Sequence, residues 1–294
     1  MSIRSRVSVG FAVLVGALVV VGAPSAQNVN VWPISGTPTP DTGMSSPYGP
    51  RQKASENFRY DFHQGIDIPT PVGTPVHAIS DGEVRIAGNH PSYQDPLVQL
   101  KHQGYYSNYM HLSSWSVTVG QQVKKGDVIG MSGTGDSGFS HLHFETRTSV
   151  WRKDCVNPFR YLPYLNTASH TVQVTNIDAS NPASPVVTAR VMAQREELDF
   201  NRVEVQVFDA ATNQPLSQQA WDLEQINLKY NGDPKLLDNS DLDGAFVTPA
   251  RFNGTTSMYE IEFRFHALTG APHIRVEVKA LDIWGQAATA TFTN

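Results

Sequence analysis

Alternation of apolar and polar residues is the main pattern in this chain, and it predicts a protein built from β-strands. Successive side chains of a strand point to opposite faces, so single-residue alternation indicates one buried face and one wet face. The pattern is clearest at 202–208 and 260–265. Residues 46–165 show no convincing helical period and carry short apolar runs separated by Gly and Pro. Such short, punctuated runs are typical of all-β folds.

The candidate strands fall into two groups, which we interpret as two domains. The first group comprises 75–78, 82–87, 97–102, 105–111, 116–119, 128–132 and 141–146. The second group comprises 171–175, 185–192, 202–208, 259–266, 273–281 and 287–292. We therefore predict a compact antiparallel β domain at 46–165, a linker at 166–170 and a β-sandwich at 171–294. The last segments, 280–285 and 287–292, loosely resemble the closing hairpin of bacterial immunoglobulin-like domains.

One short stretch carries polar groups that need a specific explanation. Read as a strand, 140–145 places Leu142 and Phe144 on one face, as expected for a core. His141, His143 and Glu145 then share the opposite face, and such groups are rarely buried without partners. The simpler interpretation is an exposed polar face on an edge strand. The alternative is half of a metal or catalytic site, which the rest of the chain must complete.

The N-terminal residues have the pattern of a targeting segment. Two arginines precede the apolar run 7–22, and the small residues 23–26 follow it. This order predicts a secretory signal peptide at 1–26 and a location outside the cytoplasm. An uncleaved membrane anchor is the alternative, although a span needs about 20 apolar residues. Residues 27–45, rich in Pro, Thr, Ser and Asn, form an extended lead-in.

Composition narrows the classes of function. The chain has 294 residues, 40 % of them hydrophobic and 17 % charged, which is typical of a globular protein. Its formal net charge of -5 argues against nucleic acid as a partner, because that binding needs a basic surface. A single cysteine, Cys155, excludes a disulfide within the chain, and we interpret it as a packed thiol.

A second pair of polar residues lies upstream, where His63 and Asp67 are four positions apart. Gly65 and Pro69 argue against a helix here, so a loop that enters a strand is the expected geometry. Alone this spacing is a weak signal, but His143 would complete a set of two imidazoles and one carboxylate. Three nitrogen or oxygen ligands, with a fourth position left to water, are the composition of catalytic zinc sites.

Several segments together resemble a known family more specifically than any of them does alone. They are 46–51, 63–68, 80–84, 109–112, 119–130 and 141–145. In this order they resemble the lysostaphin/LytM-type zinc metallopeptidases, and the resemblance extends over about residues 46–164. It implies a compact antiparallel β domain and an endopeptidase that cuts peptide cross-links or stems in bacterial peptidoglycan.

The same resemblance implies roles for five residues. Zinc would be held by His63, Asp67 and His143, and His111 and His141 match the two catalytic histidines that do not bind metal. Together these histidines would transfer a proton from a zinc-activated water and stabilise the oxyanion. His141 is the better candidate for proton transfer, because strand alternation holds it beside His143.

Some positions stay open at this level. Glu145 could accept a hydrogen bond from a zinc ligand, or it could be a solvated side chain. Loops 89–96 and 133–140 depart from the family pattern, which affects substrate preference rather than the metal. His102 is expected to have a hydrogen-bonded structural role, and 239–244 resembles half of a calcium loop without the final Glu.

The sequence therefore predicts a secreted, periplasmic or wall-associated zinc endopeptidase whose partners are peptidoglycan peptides. Contact with a membrane is expected only through the signal segment if it is not cleaved. A catalytically silent wall-binding or hydrolase-activating module on the same fold is the alternative. A lipoyl or biotinyl carrier, suggested by 119–130, is disfavoured because a carrier has no use for the histidine set.

Overall fold

The computed structural model describes residues 30–35, 45–53, 59–135, 138–163, 171–178, 181, 185–193, 200–225, 245–247, 251–253, 258–266 and 273–293. Nearly all of their regular structure is β-strand, which confirms the predicted all-β class. The predicted signal peptide at 1–26 and the calcium-like loop at 239–244 lie outside these residues. No helix in the described ranges is long and apolar enough to cross a bilayer.

The described residues before position 160 contain twelve strands. They are β1 Gly49–Lys53, β2 Arg59–His63, β3 Ile66–Pro69, β4 Pro75–His77, β5 Gly82–Gly88, β6 Leu97–Lys101, β7 Tyr106–Met110, β8 Leu112–Trp115, β9 Gln122–Val123, β10 Val128–Thr134, β11 Ser140–Arg147 and β12 Cys155–Val156. Two short 3₁₀ helices, Arg152–Asp154 and Pro158–Arg160, flank β12. β1 and β2 form a separate antiparallel hairpin.

Strand β11 is the hub of the first domain. The main sheet has the order β4-β10-β11-β7-β6-β5-β9, and all its pairings are antiparallel. β3 and β12 also pair with β11, so this one strand has four partners. Because β3 and β7 bond to β11 over overlapping residues on its two edges, the centre of β11 is fully paired.

The two faces of β11 differ as the alternation predicts. Leu142 and Phe144 are fully buried in the hydrophobic core. His141, His143 and Glu145 alternate with them and are turned toward the opposite side, where they contact other polar groups. The simpler interpretation of an exposed edge strand is therefore wrong, because Glu145 is completely buried.

Two short pieces of the lead-in pack on the domain. Val31 N donates to Ile79 O at 2.9 Å, and Ile34 forms a β-bridge with Val76. Further along, Ser45 N donates to Asp67 O, and Asp67 N donates to Ser46 O, both at 3.0 Å. The chain just before β1 therefore bonds both backbone polar groups of Asp67 along one edge of β3, while β11 pairs with the other edge.

The predicted strand at 116–119 is wrong, and the strand in this region is β8. The backbone of Thr118 is committed to a turn, since Gln121 N donates to Thr118 O at 3.0 Å. The side-chain oxygen of Gln121 also accepts from Thr118 N at 3.0 Å. These turn bonds end the ladder although Val117 is buried. The short strands β1, β2, β9 and β12 are additions that alternation did not indicate, whereas β3 is the strand expected after the loop at His63.

The remaining strands lie in two sheets. They are β13 Thr171–Asp178, β14 Val186–Ala193, β15 Phe200–Asp209, β16 Pro215–Asp222, β17 Ala245–Val247, β18 Arg251–Asn253, β19 Met258–His266, β20 Ile274–Asp282 and β21 Ala287–Thr293. One sheet has the order β13-β14-β19-β17, with β18 also paired to β19, and the other β16-β15-β20-β21. Every second residue of β20 is buried, as expected for a sheet with one wet face. An immunoglobulin-like topology and the domain bounds stay predictions.

An ion pair joins the two groups of strands. Arg160 Nε donates to Glu224 Oε1 at 2.6 Å, and Asn157 N donates to the same oxygen at 3.3 Å. Glu224 follows β16, whereas Arg160 closes the second 3₁₀ helix.

Replacing Leu142 with alanine should test the packing of β11. Leu142 is fully buried, and such truncations cost about 2–5 kcal/mol of unfolding free energy. Val119→Ala is the control, since Val119 is 67 % exposed and a surface change costs at most about 0.5 kcal/mol. Urea unfolding followed by tryptophan fluorescence measures both. Core truncations cost more than about 1 kcal/mol of unfolding free energy. A smaller loss for Leu142→Ala would contradict the assignment of Leu142 to the core face of β11.

Candidate metal centre and active site

Three side chains converge to form a compact donor group. His63 ends β2, while Asp67 of β3 lies directly opposite His143 of β11 in the antiparallel register. His63 Nε2 is 3.0 Å from His143 Nδ1 and 3.1 Å from Asp67 Oδ1. His143 Nδ1 is 2.7 Å from Asp67 Oδ1. The structure thus brings together the three residues for which the sequence predicted metal binding, and all three are buried.

The second nitrogen of each imidazole fixes which nitrogen faces this group. His63 Nδ1 lies 2.7 Å from Pro47 O and donates its proton there, which leaves the Nε2 lone pair toward Asp67. His143 Nε2 lies 3.1 Å from Glu145 Oε1 and donates to it, which leaves Nδ1 facing inward. Both rings are therefore held in the tautomer that a metal ligand requires.

Glu145 is a buried acceptor and not a solvated side chain. Its other oxygen, Oε2, accepts from Arg147 Nε at 2.8 Å and also pairs with Arg147 Nη2. Burial opposes ionisation, but the charge of Arg147 and the hydrogen bond from His143 hold the pKa of Glu145 far below its usual range. Arg147 Nη1 also donates to Tyr93 Oη at 2.8 Å. A hydrogen-bonded chain therefore runs from Tyr93 through Arg147 and Glu145 to His143.

The charge state of the group suits a divalent cation. Burial would raise the pKa of Asp67, but His63, first through its charge, and His143 lower it well below its usual value. Burial lowers the pKa of His143, while Asp67 and Glu145 more than offset this and raise it, so a metal bound at Nδ1 would replace a proton there. Two imidazole nitrogens and one ionised carboxylate oxygen match the donor set that zinc takes in catalytic sites.

His111 and His141 lie beside the donor group with matching orientations. His141 Nδ1 donates to Phe139 O at 2.9 Å, and its Nε2 is 3.7 Å from Asp67 Oδ1. His111 Nδ1 lies 2.8 Å from Asp95 Oδ2, and the rings of His111 and His141 are 4.8 Å apart. Each ring therefore has one bonded nitrogen and one available toward the space between them.

His111 occupies an unusual backbone conformation. Its φ of 60° lies in the left-handed region, where non-glycine residues are uncommon and His is somewhat enriched. Burial, followed by the charges of His143 and His141, lowers the pKa of His111, and Asp95 opposes this shift. The ring is therefore mostly neutral near pH 7, with one nitrogen able to accept a proton.

Gly135 allows the two histidines to approach each other. A Cβ at this position would lie 2.9 Å from His141 Cε1 and 3.0 Å from His111 Nε2. Any larger residue would displace one ring, so the absent side chain leaves space beside His111 Nε2 and His141 Cε1.

Sequence reasoning missed three contributors to this site. Asp95 and Pro47 bond to the outer nitrogens of His111 and His63, and neither is marked by local spacing. Arg147 could have been found, because it continues the alternation of His143 and Glu145 by one further step along β11. His102 lies apart and bonds Asp81 O at 2.8 Å and Ser107 Oγ at 2.7 Å, which fits a structural role.

A family model, Peptidase family M23, matches residues 61–158. This stretch contains all three donor residues as well as His111 and His141. Residues 61–158 are a domain of peptidase family M23. The predicted resemblance to lysostaphin/LytM-type peptidases is thereby confirmed.

Two relatives of the M23 domain are named endopeptidases. The chain is 34 % identical to peptidoglycan DD-endopeptidase ShyA of Vibrio cholerae serotype O1, over 53 % of this chain and 33 % of that one. It is 36 % identical to glycyl-glycine endopeptidase ALE-1 of Staphylococcus capitis, over 40 % and 33 %. The chain thus spans about a third of the length of each.

A solved structure is also similar to the M23 domain. The catalytic domain of lysostaphin from Staphylococcus simulans is 35 % identical, with 40 % of this chain and 88 % of that one covered. The TM-score is 0.36.

Replacing Glu145 with glutamine should weaken both metal binding and the fold. The amide leaves Arg147 buried without its counter-charge, which costs about 3–5 kcal/mol of unfolding free energy. It also weakens the acceptor of His143, so we expect zinc affinity to fall about 10- to 100-fold. Competition with a chromophoric chelator measures the affinity, and urea unfolding the stability.

The matched control is Glu83→Gln. Glu83 is an exposed carboxylate that pairs with Arg85, and it should change neither quantity measurably. Equal zinc affinity in the Glu145 and Glu83 variants would contradict the role of Glu145 as the acceptor that orients His143.

Proposed function

We propose that this protein is a secreted zinc metalloendopeptidase that hydrolyses peptide bonds in bacterial peptidoglycan. The observation that carries the proposal is the convergence of His63, Asp67 and His143 within the segment matched to the family. A degenerate, silent module would have no need for a complete donor set flanked by two oriented histidines.

The substrate class is proposed from the names of two relatives. ShyA is named a peptidoglycan DD-endopeptidase and ALE-1 a glycyl-glycine endopeptidase. Both are endopeptidases but their names give different bonds, so the proposal covers peptide cross-links and stem peptides as a class. Secretion is proposed from the pattern of residues 1–26, and it would place the domain where peptidoglycan lies.

The donor group would hold zinc through His63 Nε2, Asp67 Oδ1 and His143 Nδ1. When bound there, zinc would polarise a carbonyl and lower the pKa of water to about 7. Buried Asp67 supplies one negative charge against the two charges of the cation. The remaining charge would favour a developing oxyanion in the site.

His141 and His111 would share the proton and oxyanion steps. His141 Nδ1 donates to Phe139 O, so Nε2 carries a lone pair that can take a proton and later deliver it to the leaving amine. His111 Nε2, facing the same space, would hydrogen-bond the oxyanion when it carries a proton. We assign proton transfer to His141 because β11 holds it two residues from His143.

Incubation with peptidoglycan tests the activity directly. The protein without residues 1–26 should release fragments with new amine ends, and a chelator should stop this release until zinc is restored. Mass spectrometry identifies the fragments and the bond cut. Intact peptidoglycan at full zinc occupancy would contradict the enzyme and support a silent wall-binding module.

Two alanine variants separate metal binding from proton transfer. His141→Ala should keep its zinc and lose activity about 10²- to 10⁴-fold, as expected for removal of a general acid–base group. His143→Ala should lose the metal and with it the activity. For both variants, zinc content is measured to follow metal binding and kcat/KM to follow activity. If either variant kept full activity, the proposed roles would be wrong.

A further inference from the structure

A carboxylate outside the donor group contacts one of the proposed catalytic histidines. Asp95 Oδ2 lies 2.8 Å from His111 Nδ1, and both side chains are mostly buried, at 25 % and 19 % exposure. Asp95 belongs to the segment 89–96, which the sequence marks as a departure from the family pattern. We propose that Asp95 is a positioning residue that holds His111 in its reactive orientation and tautomer, an inference that rests on the proposed function.

The β6–β7 hairpin carries Asp95 to His111. Leu97 pairs with Met110 in the antiparallel ladder. The residues that precede Leu97 therefore run alongside the residues that follow Met110. Leu112 N donates to Pro96 O at 3.3 Å, which continues the antiparallel contact by one step beyond the ladder. Asp95 therefore lies beside His111 because of strand register, and not through a chance approach of two mobile loops.

The contact decides which nitrogen of His111 is available. A carboxylate can only accept, so Nδ1 carries the proton and Nε2 carries the lone pair. Without Asp95 no hydrogen bond restricts the ring to one tautomer or to one orientation. With Asp95 bonded at Nδ1, a proton taken up at Nε2 would make this nitrogen the donor to the oxyanion.

The backbone of His111 makes this support more important. Its left-handed conformation is less favourable than an extended one, and it persists where neighbouring contacts hold it in place. The Asp95 bond to the ring and the Pro96 bond to Leu112 hold the residue from two directions.

The same segment also supports the metal ligand. Tyr93 Oη accepts from Arg147 Nη1 at 2.8 Å, and Arg147 in turn pairs with Glu145, the acceptor of His143. The segment is itself braced, because Tyr93 N donates to His90 O at 2.9 Å. Residues 89–96 therefore contact both halves of the site, one through Asp95 and the other through Tyr93.

Steady-state kinetics of zinc-loaded variants, each without residues 1–26 as in the peptidoglycan assay, test the proposal. Asp95→Ala should lower kcat about 100-fold and Asp95→Asn about 10-fold, the range typical of residues that orient a functional histidine. The amide keeps an acceptor but no charge, which is why it should rescue part of the activity. KM should stay within twofold and zinc content at the wild-type level. Asp209→Asn, an exposed aspartate of the second domain, is the matched control with unchanged kinetics.

A second measurement does not depend on activity. In ¹⁵N-histidine NMR spectra, the chemical shifts of His111 report which nitrogen carries the proton, with a His111→Gln variant as the assignment control. Wild type should show the Nδ1–H form, and Asp95→Ala should shift toward the Nε2–H form. The tautomer of His111 can be measured even if the wild-type protein cuts no peptidoglycan. Failure of the proposed function can therefore be distinguished from failure of the proposal for Asp95.

Three outcomes would overturn the proposal. The first is a kcat for Asp95→Ala within twofold of wild type. The second is a His111 tautomer that is unchanged in this variant. The third is a loss of activity that follows loss of zinc, since Asp95 would then act on the metal group and not on His111.

Discussion

Burying an ionised carboxylate and a guanidinium costs several kcal/mol per ion, and the centre of the first domain does this at Glu145 and Arg147. Both side chains are completely buried. The pair is sustained because each member has further partners: His143 donates to Glu145, and Tyr93 accepts from Arg147. The buried ion pair thus fixes the position of Glu145, and Glu145 in turn orients the ring of the ligand His143.

The geometry of β11 makes this arrangement possible. Its side chains divide into an apolar face that packs in the core and a polar face that contains two site histidines, the glutamate and the arginine. A shift of register by one residue would exchange the two faces. Pairing with β3 on one edge and β7 on the other fixes the register twice. The same pairing with β3 sets Asp67 directly opposite His143.

Much of the fold and the donor group could be predicted, because their signals are local or belong to the family. Alternation revealed β11 and most long strands, whose period of two is visible over a few residues. The three donors required the family resemblance, since two histidines and an aspartate gain meaning only when folding brings them together. Short strands such as β12 were not predicted, because two residues are too few to show a period.

Contacts set by register or by turns could not be read from the sequence. Asp95 reaches His111 only because the hairpin pairs Leu97 with Met110. The strand expected at 116–119 failed because the backbone of Thr118 bonds within a turn, which its β-branched neighbours do not signal. Arg147 is different, since alternation extended by two residues places it beside Glu145 on the same face.

Cys155 gives the buried ion pair a practical consequence. Its sulfur lies 3.5 Å from Glu145 Oε2, and burial together with the charge of Glu145 raises the pKa of the thiol well above its usual value. Only the thiolate reacts readily, so the native protein should be nearly inert toward alkylating reagents. Labelling at Cys155 requires the structure around Glu145 to open. The rate of alkylation at Cys155 therefore measures how often the structure around Glu145 opens locally.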